Sequence, residues 1–171
     1  HDPKSALEYA TKLKKLSDKV KDKFLIIMRT YFEKPRTTIG WKGLINDPNL
    51  DGSYNINNGF EITRSLLLEI NKLKLACATE FLEPFTPQFI DDLISYVGIG
   101  ARTSESPIHR QLSSGLSMPV GFKNNTSGDV APSINAMESA KHPQAFLGMN
   151  EFGMVSNVKT SGNEFCHIIL R

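Results

Sequence analysis

Apolar positions along the chain follow two rhythms. Over residues 4 to 22, Tyr9, Leu13, Leu16 and Val20 fall at helical spacing among lysines, which predicts an amphipathic helix opening near Asp2-Pro3. "FLIIMRTYF" is then continuously apolar at its start, as a buried strand requires. After a long loop ending in "NINNG", Phe60, Leu66, Leu67, Ile70 and Leu73 predict a second helix, followed by the short run "LACATEFL". "TPQFIDDLISYV" predicts a third helix with Thr86 as cap and Pro87 in its first turn. "VGIGAR" reads as a strand, "ESPIHRQLSSGL" as a helix, "MPVGFK" as a strand, and "VAPSINAMESAK" as a helix whose Pro132 fits only its first turn. "AFLGMNEFGMVSNV" has two short apolar arms around Asn150 to Gly153, the pattern of a hairpin, and "CHIILR" is the last strand-like run.

Strand and helix thus alternate from end to end. Continuously apolar strands belong to a parallel sheet covered by helices, so the fold class is α/β. A doubly wound sheet and an eight-stranded barrel both satisfy the alternation. No GxGxxG or Walker-type glycine loop is present to support a nucleotide-binding sheet.

Composition narrows the picture. With 171 residues, 40% apolar and 22% charged, the chain fits one ordinary globular domain, and its formal charge of +2 means that any basic site must be local. No Lys/Arg block points to nucleic acid or a membrane surface, and no apolar run approaches a bilayer span. Cys77 and Cys166 lie in apolar stretches without metal-type spacing, which predicts buried thiols in a reducing compartment. The four histidines show no ligand spacing, so no metal site is expected among these residues. Ser113, Ser114 and Ser117 read as helix-terminal hydrogen-bonding residues rather than nucleophiles. The chain starts on His1 rather than Met and stops right after a strand-like run, which suggests a fragment.

The charges at the strand ends carry the functional signal. "FLIIM" ends on Arg29, "ACAT" on Glu80, "GIGA" on Arg102, "PVGF" on Lys123 and "HIIL" on Arg171, while Lys34 and Arg36 follow the first strand. Carboxyl-terminal strand ends gather on one face of parallel α/β folds, where active sites are built. Six cations with one glutamate would repel each other unless a polyanion offsets them. Two phosphate monoesters and a carboxylate total roughly −4 to −5, which matches that load. The expected ligands are therefore small, phosphorylated and carboxylated.

The residues also resemble a known family. "MRTYFEKPRTTIGWKGLINDP", "GARTSESPIHRQLSSGLSMPVGFKN" and "TSGN…HIILR" are similar to the 3-deoxy-D-arabino-heptulosonate 7-phosphate (DAHP) synthases of the microbial type Iα group, first enzymes of the shikimate pathway to aromatic amino acids. The resemblance implies a (β/α)8 TIM barrel, of which residues 1–171 would form a single partial catalytic domain, about strands two to six. It also implies an inserted regulatory β-hairpin at residues 144–160. The implied reaction is the aldol-type condensation of phosphoenolpyruvate with erythrose 4-phosphate. Carbon 3 of phosphoenolpyruvate attacks the aldehyde, which a divalent ion of the Mn, Fe, Co or Zn class polarises, water adds at carbon 2, and phosphate leaves.

Carried over residue by residue, Arg29, Lys34, Arg102, Lys123 and Arg171 match the family's phosphoenolpyruvate-binding cations, and Arg36 and Thr37 match its erythrose-phosphate contacts. Lys34 and Glu80 match catalytic positions. The family's metal ligands, a cysteine just before the segment matching His1-Asp2-Pro3 and a His, Glu and Asp on the last strands, fall outside these residues. The 171 residues alone are accordingly expected to be inactive.

Pro87, Gln88, Ser117, Phe146 and Gly148 match the pocket for an aromatic amino acid inhibitor, and Gly148, where phenylalanine-regulated members usually carry Ser, favours tyrosine. A cytoplasmic homo-oligomer is the implied setting. The chain departs from the family at Asn125 and Ser127, in "GFKNNTSG" for the usual "GFKNGTDG", and at Gln111. Asn125 is expected to take the positive φ of the glycine it replaces. Octulosonate-8-phosphate synthases share the phosphoenolpyruvate chemistry, but KPRT argues against them. A catalytically silent regulatory or binding module is the alternative of a different class, decided by whether the flanking coding sequence carries the metal ligands.

Overall fold

The computed structural model describes residues 2–34, 38–150 and 152–170. The chain divides into two compact units, His1–Tyr96 and Val97–Arg171. Both units are α/β, with parallel strands and helices, and the second adds one antiparallel pair.

The first unit opens with helix α1, Pro3–Val20, where the Asp2 carboxylate accepts a hydrogen bond from the Lys4 N–H at 3.0 Å and Pro3 occupies the first turn. Strand β1, Ile27–Arg29, is shorter than the apolar run that predicts it. Pairing explains the difference. The partner strand β2, Ala76–Thr79, lies parallel to β1 in the register Ile27↔Ala76 to Arg29↔Ala78, and Thr30 N–H extends the ladder to Ala78 O at 2.7 Å. Phe24 and Leu25, without such a partner, are exposed.

Helix α2, Ile56–Lys72, begins inside "NINNG", the stretch expected as loop, because the Asn55 side chain caps it by accepting from Asn58 N–H. Thr63, Leu66, Leu67 and Ile70, at spacings of three and four, form its buried stripe. The third predicted helix shrinks to α3, Pro87–Ile90, followed by a 3₁₀ turn at Asp91–Leu93. Ile90 leaves helical geometry at φ −142°. Arg64 on α2 ties the segment down through Phe89 O and both Asp92 carboxylate oxygens, and Phe60 stacks on Phe89 at 4.4 Å.

In the second unit the elements are β3 (Tyr96–Ile99, starting on the last residue of the first unit), α4 (Pro107–Gly115), β4 (Val120–Lys123), α5 (Ala131–Lys141), β5 (Ala145–Met149), β6 (Val155–Lys159) and β7 (Cys166–Ile169). β4 pairs in parallel with β3 and with β7, in the registers Gly98↔Gly121 and Gly121↔His167. Val97, Ile99, Val120 and Phe122 are wholly buried, as strands covered on both faces demand. Asn163 holds the connection into β7 by donating from Nδ2 to Ser113 O at 3.3 Å and to Met118 O at 3.0 Å. β5 and β6 pair antiparallel, with Gly148 opposite Ser156, and Asn150 Oδ1 closes their turn by accepting from the Phe152 and Met154 N–H groups. Among the described residues no helix is long and apolar enough to cross a membrane.

Candidate functional site

In the first unit the predicted residues Arg29 and Glu80 stand at neighbouring strand ends. Arg29 is the last residue of β1, and Glu80 directly follows β2. Between them in chemistry is Tyr31, which the strand-end pattern overlooked. Its hydroxyl donates to Glu80 Oε2 at 2.8 Å, and the Arg29 guanidinium lies over its ring with Cζ 3.9 Å from the centroid. Burial, the hydrogen bond to Glu80 and that group's charge push the Tyr31 phenol up to about 12. A cleft of about 130 Å³ opens beside Arg29, Tyr31 and Phe32.

The loop after β1 is pinned by its own backbone. Lys34 N–H donates to Lys42 O at 2.7 Å and Ile45 N–H to Phe32 O at 3.2 Å, while the Lys34 side chain is exposed. Gly43 in "GWKG" has φ +109°, and a Cβ there would lie 2.2 Å from Phe32 O. This glycine serves the chain's own close approach. Arg36 and Thr37 lie outside the described residues.

Next to Lys34, the Glu33 carboxylate turns inward and is only 4% exposed. It accepts from the Thr86 hydroxyl at 2.8 Å and from the Leu82 and Glu83 N–H groups at 3.3 Å each. Thr86, expected as a helix cap, makes no capping bond and spends its hydroxyl here instead. Burial outweighs these three donors and, helped by the charge of Glu83, raises the Glu33 carboxyl to about 7. Glu33 thereby joins the loop carrying Lys34 to the segment carrying Pro87 and Gln88.

In the second unit Lys123 ends β4 and Arg102 is exposed in the turn after β3. Ser104, wholly buried, links the two neighbourhoods: its hydroxyl donates to Gly100 O at 3.1 Å and to Lys123 O at 3.0 Å. Thr103 and Ser104 N–H both return to Gly100 O, and Arg110 Nε donates to Ser104 O. The "GARTSES" segment is thus folded tightly against the end of β4. Asn125 is not among the residues with positive φ; its Oδ1 instead accepts from Ser127 N–H, Ser127 Oγ and Asp129 N–H, so Ser127 supports the loop through Asn125. Arg171 lies outside the described residues.

Of the positions expected to receive an inhibitor, Pro87 is buried and Gln88 exposed on α3 in the first unit, and Ser117 follows α4 in the second. Phe146 and Gly148 share the half-buried face of β5. A Cβ on residue 148 would meet Val158 Cγ2 at 2.5 Å, so a larger residue there requires that valine to turn. Among the described residues, no three His, Cys, Asp or Glu side chains come together to hold a metal ion.

Similarity to known proteins runs the length of the chain. The family model described as the DAHP synthetase I family matches residues 1–171. The Tyr-sensitive phospho-2-dehydro-3-deoxyheptonate aldolase of Escherichia coli (strain K12) is 54% identical over the full chain, which covers 48% of that protein. The Phe-sensitive phospho-2-dehydro-3-deoxyheptonate aldolase of the same strain is 56% identical, again over the full chain and 49% of its own length. A solved phospho-2-dehydro-3-deoxyheptonate aldolase from Francisella tularensis SCHU S4 superposes with a TM-score of 0.95 at 54% identity, over all of this chain and 50% of that one. The chain spans about half the length of the curated relatives it matches.

Proposed function

This chain belongs to the DAHP synthetase I family, and we propose that the protein condenses phosphoenolpyruvate with erythrose 4-phosphate to give 3-deoxy-D-arabino-heptulosonate 7-phosphate and phosphate, within a (β/α)8 barrel. The observation that carries this reading is that, in each unit, ionisable residues stand at the carboxyl ends of parallel strands: Arg29 and Glu80 in the first, Lys123 and the Arg102 turn in the second.

Each group then has a role that its chemistry allows. Arg29 and Arg102 grip the carboxylate and phosphate of phosphoenolpyruvate through paired N–H donors, and Lys123 adds a compact positive charge. Lys34 contacts phosphoenolpyruvate and holds a proton near the reacting carbonyl, and Glu80 orients or relays a proton. Arg36 and Thr37 take the erythrose phosphate, and Arg171 completes the cation set. A divalent ion supplies Lewis acidity in this family's chemistry; the described residues do not form its site, and these side chains act by binding, orienting and proton transfer alone.

Regulation belongs to the same reading. Pro87, Gln88, Ser117, Phe146 and Gly148 would receive an aromatic amino acid, with residues 144–160 as the regulatory hairpin. Gly148 favours tyrosine because it adds no side chain where Val158 already crowds the backbone. The complete protein is read as a homo-oligomer.

The test is steady-state turnover of the full-length protein with both substrates. Arg102→Ala and Lys123→Ala should each lower kcat/KM at least ~100-fold, since each leaves an anion unpaired in a partly desolvated site. Near-parental turnover in either variant would sink the assignment.

A further inference from the structure

We propose that Tyr31 is a positioning residue for this chemistry: its hydroxyl fixes the Glu80 carboxylate while the face of its ring seats the Arg29 guanidinium. The inference rests on the reading of Arg29 as a substrate-binding cation and Glu80 as a reacting or orienting carboxylate. Arg29 and Tyr31 are two residues apart on an extended segment and so share a side. Thr30 between them is buried, and both its N–H and its hydroxyl donate to Ala78 O, at 2.7 and 3.0 Å. The backbone that carries the tyrosine is therefore locked to β2, the strand that carries Glu80.

The two contacts of Tyr31 have different chemistry. The hydroxyl donates to Glu80 Oε2 at 2.8 Å, which orients the carboxylate without cancelling its charge, as a lysine or arginine partner would. The ring takes Arg29 through its face, Cζ at 3.9 Å, and the phenol oxygen also accepts from that guanidinium, so Arg29 is held without a carboxylate across its fork. One side chain thus sets the spacing between a cation and an acid of opposite charge. The phenol, pushed up to about 12 mainly by burial, keeps its proton across any working pH and donates throughout.

The ring contact survives removal of the hydroxyl, so the two can be removed in turn. Tyr31→Phe removes the hydroxyl and keeps the ring; Tyr31→Leu removes both. In the full-length protein, Tyr31→Phe is expected to lower kcat about 10-fold or more and to leave KM for phosphoenolpyruvate within about two-fold. Tyr31→Leu should show the same fall in kcat and in addition raise that KM about 5-fold or more, as lost cation–π seating predicts. Glu80→Gln is measured beside them. If Glu80→Gln keeps parental kcat, the reading of Glu80 fails and the proposal falls with it. If Glu80→Gln loses activity while Tyr31→Phe keeps parental kcat and KM, the proposal alone is overturned. Equal losses in kcat and KM for the two Tyr31 variants would mark a purely structural residue and overturn it as well.

Discussion

A carboxyl group buried against three donors makes the loop after β1 sensitive to proton concentration. Glu33 has an ordinary value of 4.5 and a folded value of about 7, so the folded chain binds a proton that the unfolded chain has released. The stability this group contributes is full below about pH 4.5 and is lost as pH rises through 7. At about 1.4 kcal/mol per unit, the full window corresponds to roughly 3 kcal/mol. Glu33→Gln keeps an acceptor for Thr86 but cannot ionise, so its urea unfolding free energy should be flatter across that window than the parent's; equal slopes would remove Glu33 as the cause. Gly43→Ala should be worse at every pH, costing about 3 kcal/mol or more from positive φ and the clash with Phe32 O, which unfolding midpoints would record. The strand-end places of Arg29, Glu80 and Lys123 were legible in the sequence because each closes an apolar run. Tyr31 and Glu33 were not, since a tyrosine beside apolar residues reads as core and their partners lie 49 to 53 residues along the chain.

At the scale of elements, the alternation of strand and helix was readable wherever an apolar run or stripe was long enough to dominate its neighbours. It failed at boundaries, where a partner rather than a pattern decides. β1 is three residues long because β2 offers it only that register, and α2 starts early because one asparagine caps it. "TPQFIDDLISYV" has helical spacing, yet Ile90 turns away and Tyr96 joins β3. The β5–β6 pair carries its own prediction. On the proposed tyrosine pocket, Gly148→Ser should move inhibition of the full-length protein from tyrosine towards phenylalanine, because the added side chain must displace Val158 Cγ2 and fill the space beside it. Inhibition curves with both amino acids would check this, and an unchanged order of potency would separate position 148 from specificity.

For the whole molecule, the division at Tyr96 and Val97 gives each unit one buried cysteine, Cys77 on β2 and Cys166 on β7. Burial raises each thiol to about 11, so neither is a ready nucleophile near neutral pH. A thiol reagent should leave both unmodified in the native protein and modify both once denaturant unfolds it; rapid native labelling of either would contradict the buried assignment. These two sulfur atoms are therefore a pair of clocks built into the sequence, one timing the exposure of β2 in residues 1–96 and the other that of β7 in residues 97–171. With mass spectrometry of the two cysteine peptides, a single labelling experiment at rising denaturant reads whether the two units open together or apart, without a probe having to be engineered into either.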